Sequence, residues 1–476
     1  MDITVDVPTD IVALHEHHLD LHILLDRAQE LLETSGYISE DEDEIEDEHG
    51  HLARKNTCTS SECPICETSN LTDIEDSKED AKAEEPDVPL TDGAASTGLD
   101  SLTGAERRKA RKKIHDRQRR REKRKENQER AGTAARAAAQ AYKGRAIITH
   151  TSLGLRTFSH SASAWLGRRV EHGSKAYSLD DLITLGMRVL PWDGRTPHML
   201  VDKSRRVFAV LPGRPKSSDW DSVCADVVQR MESAKEQYQL TAEQLSNRRG
   251  PFVALATGIL FDGGQTRPGN RYHTRANREV MQNLTAAWST QCVLGFGDSA
   301  TWVYASQLAS YYYETLNSLT QDALYLRRNR ENGIYASTTY NFGPNTVCLP
   351  HIDFANLAWG WCVITALGCF DPDRGGHIVL WDLGIVIRFP PGSTIIIPSA
   401  LLKHSNASIV QGEKSITQYS AGGLFRWVAN GHRTDIDFKR YATEAERDKL
   451  EADQARRWDS GLEMLDRLPG ADALGT

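Results

Sequence analysis

The chain has 476 residues, of which 26% are charged, with a formal net charge of −9 at pH 7. That length suits two or three domains. Its longest apolar stretch, Phe252 to Phe261, is too short to cross a bilayer, which argues against a membrane protein. The acidic N-terminus lacks the basic start and apolar core of a signal peptide. Eight scattered cysteines without a framework spacing fit a reducing compartment.

The net charge conceals a strong segregation. Residues 1–103 carry 28 acidic against 5 basic side chains, and residues 104–130 carry 14 Lys and Arg against 5 acids. An acidic tail and a basic arm are therefore expected ahead of a nearly neutral globular part.

Residues 10–34 read as one amphipathic helix. Leu21, Leu24, Leu25, Ala28, Leu31 and Leu32 share a stripe, and Gly36 follows the end. The stripe calls for a protein partner, in this chain or another. Residues 37–103, including the acidic run Glu40–Glu48, hold too little apolar surface to order themselves. Within them Cys58, Cys63 and Cys66 have a bite suited to Zn²⁺, but no second Cys-x-x-Cys completes the set. Residues 104–143 form a basic arm of high helix propensity, read as a solvated helix or a nuclear-import signal, or as a phosphate-binding element. A nuclear location is expected.

From 144 onward the chain reads as folded, with one domain to about 440 and a C-terminal helix and tail over 441–476. Helices are expected at Trp220–Arg248, Arg275–Trp288 and Ala300–Arg327. A strand is expected at Phe252–Phe261, before a turn carrying Gln265, Arg267 and Asn270. From Asn341 the texture changes to short β-rich runs: Thr346–Leu349, Gly360–Leu367, His377–Trp381, Ile385–Phe389, Ser393–Ile397 and Ser415–Tyr419. Gly and Pro punctuate them at short intervals, as in a barrel or jelly roll. Thr443 and Glu446 form a capping box for a last helix reaching Leu468. The expected class is α+β. A double-stranded β-helix core at about 341–428 has flanking helices, and a largely disordered N-terminal region precedes it.

His351-Ile352-Asp353, answered by His404, is the ligand set of a non-haem Fe(II) oxygenase. On a strand, residues two apart share a face, so His351 and Asp353 can reach one ion. The second His-x-Asp, His18-Leu19-Asp20, lies in a helical pattern that turns the two side chains apart. Such an iron site commonly works with 2-oxoglutarate, whose distal carboxylate needs a cation. Lys414 and Arg426 are the candidates, and Asn341 is placed to hydrogen-bond the same co-substrate.

The segments Asn341–Pro344, Pro350–Leu357, Gly360–Gly368, Gly375–Gly384, Pro390–Gly392, His404–Asn406 and Gln418–Trp427, with Gly263–Asn270 before them, resemble the fungal TET/JBP-like dioxygenases that accompany Kyakuja-Dileera-Zisupton transposons. The resemblance covers about residues 250–430. It implies an Fe(II)/2-oxoglutarate dioxygenase oxidising methyl groups on DNA bases. 5-Methylcytosine would go to 5-hydroxymethylcytosine and further oxidised forms, with N6-methyladenine demethylation as the companion reading. His351, Asp353 and His404 would be the iron ligands. Where the family carries Arg-x-Ser before the last Gln-Tyr, this chain has Glu413-Lys414-Ser415, which keeps the serine and alters the 2-oxoglutarate anchor. Double-stranded DNA is the expected partner, its methylated base flipped out of the stack. Asn356 would read a base edge; Phe354, Trp359 and Phe425 would stack or else belong to the core. Gln265, Arg267 and Asn270 would touch the DNA backbone or simply form a tight turn. Two other readings stay open: an oxygenase acting on RNA, protein or a small molecule, and a DNA-binding module that has lost catalysis.

Overall fold

The structure, a computed structural model, describes residues 142–469 apart from 246, 248, 262–264, 410 and 411. The expected helix at 10–34, the acidic tract, the cysteines at 58–66 and the basic arm up to residue 141 lie outside the described residues.

Eight segments alternate between two sheets. The larger sheet holds β7 (Ser337–Asn341), β8 (Cys362–Gly368), β11 (Thr394–Ile397) and β13 (Glu413–Tyr419), in the antiparallel order β11-β8-β13-β7. The smaller sheet holds β9 (Ile378–Leu380), β10 (Ile385–Ile387) and β12 (His404–Asn406), with His351 bridging to β12 at its edge. From β7 the chain passes to His351, back to β8, across to β9 and β10, back to β11, across to β12 and home to β13. That winding is a double-stranded β-helix, as the sequence leads one to expect.

The larger sheet continues on both sides. β4 (Val207–Gly213), β3 (His198–Val201) and β1 (Ile147–His150) extend it beyond β11, and β5 (Ala254–Leu260) with β6 (Gly269–Asn270) extend it beyond β7. On the smaller sheet β2 (Arg188–Leu190) pairs parallel to β10, and α1 (Leu179–Thr184) adds Leu182 to the cluster of Val379, Val386 and Ala407. Helices α2 (Trp220–Gln237), α3 (Arg275–Ala286), α4 (Trp288–Tyr304) and α5 (Ser306–Asp322) follow in the chain. The side chains on the outer face of the larger sheet bind this helical layer. Tyr340 donates to Thr285 at 2.9 Å, and Gln418 donates to the Leu294 carbonyl at 3.2 Å. Both faces of that sheet are therefore covered, which is why β11 reads Thr-Ile-Ile-Ile without alternation.

Three departures from the sequence expectation have local causes. α2 stops at Gln237 because the Asn277 side chain seizes both backbone groups of Gln239, at 2.9 and 3.1 Å. Residues 346–349 form no strand, because the Asn406 side chain bonds the Thr346 carbonyl and the Cys348 amide in place of a ladder. The expected helix from Ala300 is two helices, α4 and α5, separated at Ala305, whose φ of −149° and ψ of 66° are non-helical. The last helix, α8, spans Glu444–Glu463 and keeps the expected capping box between Thr443 and Glu446.

Candidate metal centre

His351, Asp353 and His404 meet inside the β-helix, all three buried, each offering one donor atom within 4.8 Å of the others. The convergence is built by backbone pairing. The His351 amide donates to the His404 carbonyl and the His404 amide to the His351 carbonyl, both at 2.9 Å. Two residues further on, the Asp353 amide is held by the Ser399 carbonyl at 2.9 Å. Two ligands are thus one rung of the smaller sheet, and the third is pinned to the turn after β11.

The imidazoles are oriented by their other nitrogens. Nδ1 of His351 lies 2.7 Å from the Leu349 carbonyl, and Nδ1 of His404 lies 2.9 Å from that of Leu402. A carbonyl only accepts, so each Nδ1 carries the proton and each Nε2 presents a lone pair. Those Nε2 atoms stand 3.7 and 3.9 Å from the Asp353 carboxylate. Donors bonded at about 2.0–2.2 Å to one first-row ion sit roughly 3 Å apart, so adjustments on the order of 1 Å close the set. Burial depresses both imidazole pKa values. For His351 the neighbouring His404 adds to the effect, and for His404 the Asp353 carboxylate opposes it. Both rings are neutral, the form that binds metal.

Arg249 is the residue that sequence reading missed. Its Nη2 donates to Asp353 Oδ1 at 2.5 Å, and its own carbonyl takes the Leu349 amide at 2.6 Å, two residues ahead of His351. Burial opposes ionisation of Asp353, but the charge and hydrogen bond of Arg249 override it and hold the carboxyl well below its usual range. The turn Asn247–Gly250 aims the arginine. Asn247 accepts the Arg249 amide at 2.8 Å, and a Cβ on Gly250 would come within 2.2 Å of the Val347 carbonyl. Nothing local marks Arg249 among the 57 basic residues of the chain. Its role follows from heading the strand that pairs with β7.

β13 sorts the remaining polar candidates by the two-residue alternation of a strand. Glu413 and Ser415 face inward. Glu413 accepts from Asn406 at 3.0 Å, and Ser415 accepts from Asn341 at 2.9 Å. Burial pushes the Glu413 carboxyl well above its ordinary range, against the hydrogen bond from Asn406. Buried Asn341 Oδ1 has no hydrogen-bond partner in the barrel, and neither has Nε of Arg249. Lys414 points the other way and pairs with Glu232 on α2 at 3.0 Å. Arg426, on α6 (Gly422–Ala429), pairs with Asp435 at 3.2 Å. Both cations proposed for the co-substrate are engaged outside the barrel.

The proposed base-contacting residues also divide. Asn356 and Phe354 lie beside the triad on the turn after Asp353. Asn356 donates to Ser399 at 3.1 Å, and half-buried Phe354 has the Arg169 guanidinium 5.7 Å from its ring. Trp359 and Phe425 are core residues instead, packed on Tyr311 with ring centroids 6.4 and 5.1 Å away. Asn270 is structural: it donates to the Tyr325 carbonyl at 2.6 Å and accepts the Arg327 amide at 2.8 Å. Arg267 lies over the Tyr325 ring at 5.1 Å, and Gln265 is exposed.

Two imidazoles and one carboxylate, buried together inside a double-stranded β-helix, form a group that could hold a single metal ion. No protein-family model and no curated protein matches the chain. Among solved structures it is similar to NgTET1 in complex with 5mC DNA, at 17% identity, over 50% of this chain and 83% of that one, with a TM-score of 0.36. It is also similar to an oxidoreductase of the 2OG-Fe(II) oxygenase family from Burkholderia pseudomallei, at 14% identity, over 42% and 89% of the two chains, with a TM-score of 0.25.

Proposed function

We propose that this protein is an Fe(II)- and 2-oxoglutarate-dependent dioxygenase of the TET/JBP-like kind that oxidises methyl groups on DNA bases in the nucleus. The observation that carries the reading is the buried triad, with its proton-bearing Nδ1 atoms turned to carbonyls and its lone pairs turned inward. The donor set fits ferrous iron, which favours two imidazoles and a carboxylate with open positions beside them. The orphaned Arg249 Nε and Asn341 Oδ1 give the barrel spare polar capacity near the triad. Arg249, Asn341 and Ser415 would hold the 2-oxoglutarate carboxylates, with the arginine in the place of the missing cation on β13.

Iron with 2-oxoglutarate and O₂ supplies the two-electron oxidation of a methyl C–H to hydroxymethyl, releasing succinate and CO₂. The chain's own part is to keep Asp353 ionised through Arg249, to keep both imidazoles neutral, and to receive an extruded base. Asn356 and Phe354, on the turn after Asp353, are placed to meet that base. 5-Methylcytosine is the first substrate to test and N6-methyladenine the second.

The test is iron content, succinate release and nucleoside mass spectrometry on methylated duplexes with the purified full chain. One iron per chain and a hydroxymethylated product are expected, and His351→Ala should lose both while its melting curve stays cooperative. Full turnover in that variant contradicts the assignment. Tight DNA binding without succinate release would reclassify the protein as a binding module.

A further inference from the structure

Away from the triad, a groove of about 1470 Å³ opens between β6, α3 and the segment 323–332. Six arginines line it (Arg271, Arg275, Arg278, Arg327, Arg328 and Arg330) against only two acids, Glu279 and Glu331. Most of this charge is uncompensated. Among the described residues, Arg330 alone of the six meets a carboxylate, Asp298 at 3.8 Å. Arg328 is held by Thr320 at 3.1 Å and by Asn317, Arg278 by the His273 carbonyl at 3.2 Å, and Arg271 by the Tyr419 hydroxyl at 3.1 Å. The Arg275 and Arg327 side chains are exposed, with no acidic partner among the described residues. Neutral hydrogen-bond partners fix the direction of a guanidinium and leave its charge available to a ligand.

Two walls of the groove are fixed to each other where Asn270 clamps the Tyr325 carbonyl and the Arg327 amide. Tyr272, 84% exposed, and Tyr325, 45% exposed, add aromatic surface beside the cations. Its volume exceeds the roughly 300–1,000 Å³ of small-molecule sites, so it suits a stretch of polymer. A repeating anion with flat bases matches arginines interleaved with tyrosines.

We infer that this groove binds the phosphodiester backbone of a nucleic acid. The choice of nucleic acid over other polyanions rests on the proposed function; the charge, shape and aromatic lining stand independently of it. Arg271 joins the two regions: it lines the groove, and its guanidinium reaches the Tyr419 hydroxyl, itself 3.2 Å from Thr339 on β7.

The test uses the full chain and labelled methylated DNA, both as duplex and as single strand, with Kd measured across a salt series. Arg275→Ala combined with Arg327→Ala should weaken binding and lower the slope of log Kd against log salt by about 2 on the preferred form, as two lost phosphate contacts require. The paired lysine variant should restore the slope. Iron content and turnover of a methylated dinucleotide should be unchanged. An unaltered slope in the alanine variant overturns the inference. If the wild type turns over no methylated substrate and the alanine variant still loses slope, the reaction assignment falls and the groove stands.

Discussion

Asp353 is paired with one cation, Arg249, and faces the place of another. A metal ion needs the carboxylate ionised, and Arg249 secures that before any ion arrives. The same guanidinium is the cation nearest the triad that the structure assigns, whereas Lys414 and Arg426 hold Glu232 and Asp435. Arg249→Gln should therefore raise the apparent KM for 2-oxoglutarate about 10- to 100-fold, the worth of a charged hydrogen bond of about 1.5–3 kcal/mol. Lys414→Ala and Arg426→Ala should leave it within about twofold. The reverse order, from steady-state kinetics at saturating oxygen, would return the anchor to β13 or α6. Sequence made the three ligands legible because their types and order are chemically restrictive. Arg249 was not legible, because one arginine in a turn resembles any other until the strand it heads is paired.

Among the elements, strands bounded by Gly and Pro and the capped C-terminal helix were readable, each carrying its own local signal. α4 was not. Its buried residues include Val293, Leu294, Phe296, Gly297 and Ala300, so it lacks the one-sided stripe that marks a surface helix. α4 also carries Asp298, whose carboxyl burial pushes from 3.8 up to about 7, against the pull of Arg330. In the folded protein the proton is held more tightly than in the unfolded chain. The stabilisation is complete below about pH 4, the unfolded pKa, and is lost as pH rises towards 7. Calorimetry should then show the wild-type Tm falling between about pH 4 and 7 more steeply than that of Asp298→Asn. Parallel curves would mean that Asp298 ionises normally.

At the scale of the molecule, charge is partitioned more sharply than a net value of −9 suggests. The sequence displays the acidic tract and the basic arm because each is contiguous. The arginine groove is assembled from 270–278 and 327–330, too far apart in the chain to read as a cluster. Fold class was legible at this scale and the groove was not. The pairing of His351 with His404, amide to carbonyl in both directions, has a last consequence. Two of the three donors are already registered as neighbours by the sheet, so their spacing does not wait on the ion. A chelator should leave the 351 and 404 amides slow to exchange with deuterium, and ferrous iron returned to the stripped protein should reload it without a refolding lag. Rapid exchange at both amides after chelation would mean the cage is assembled by its cargo.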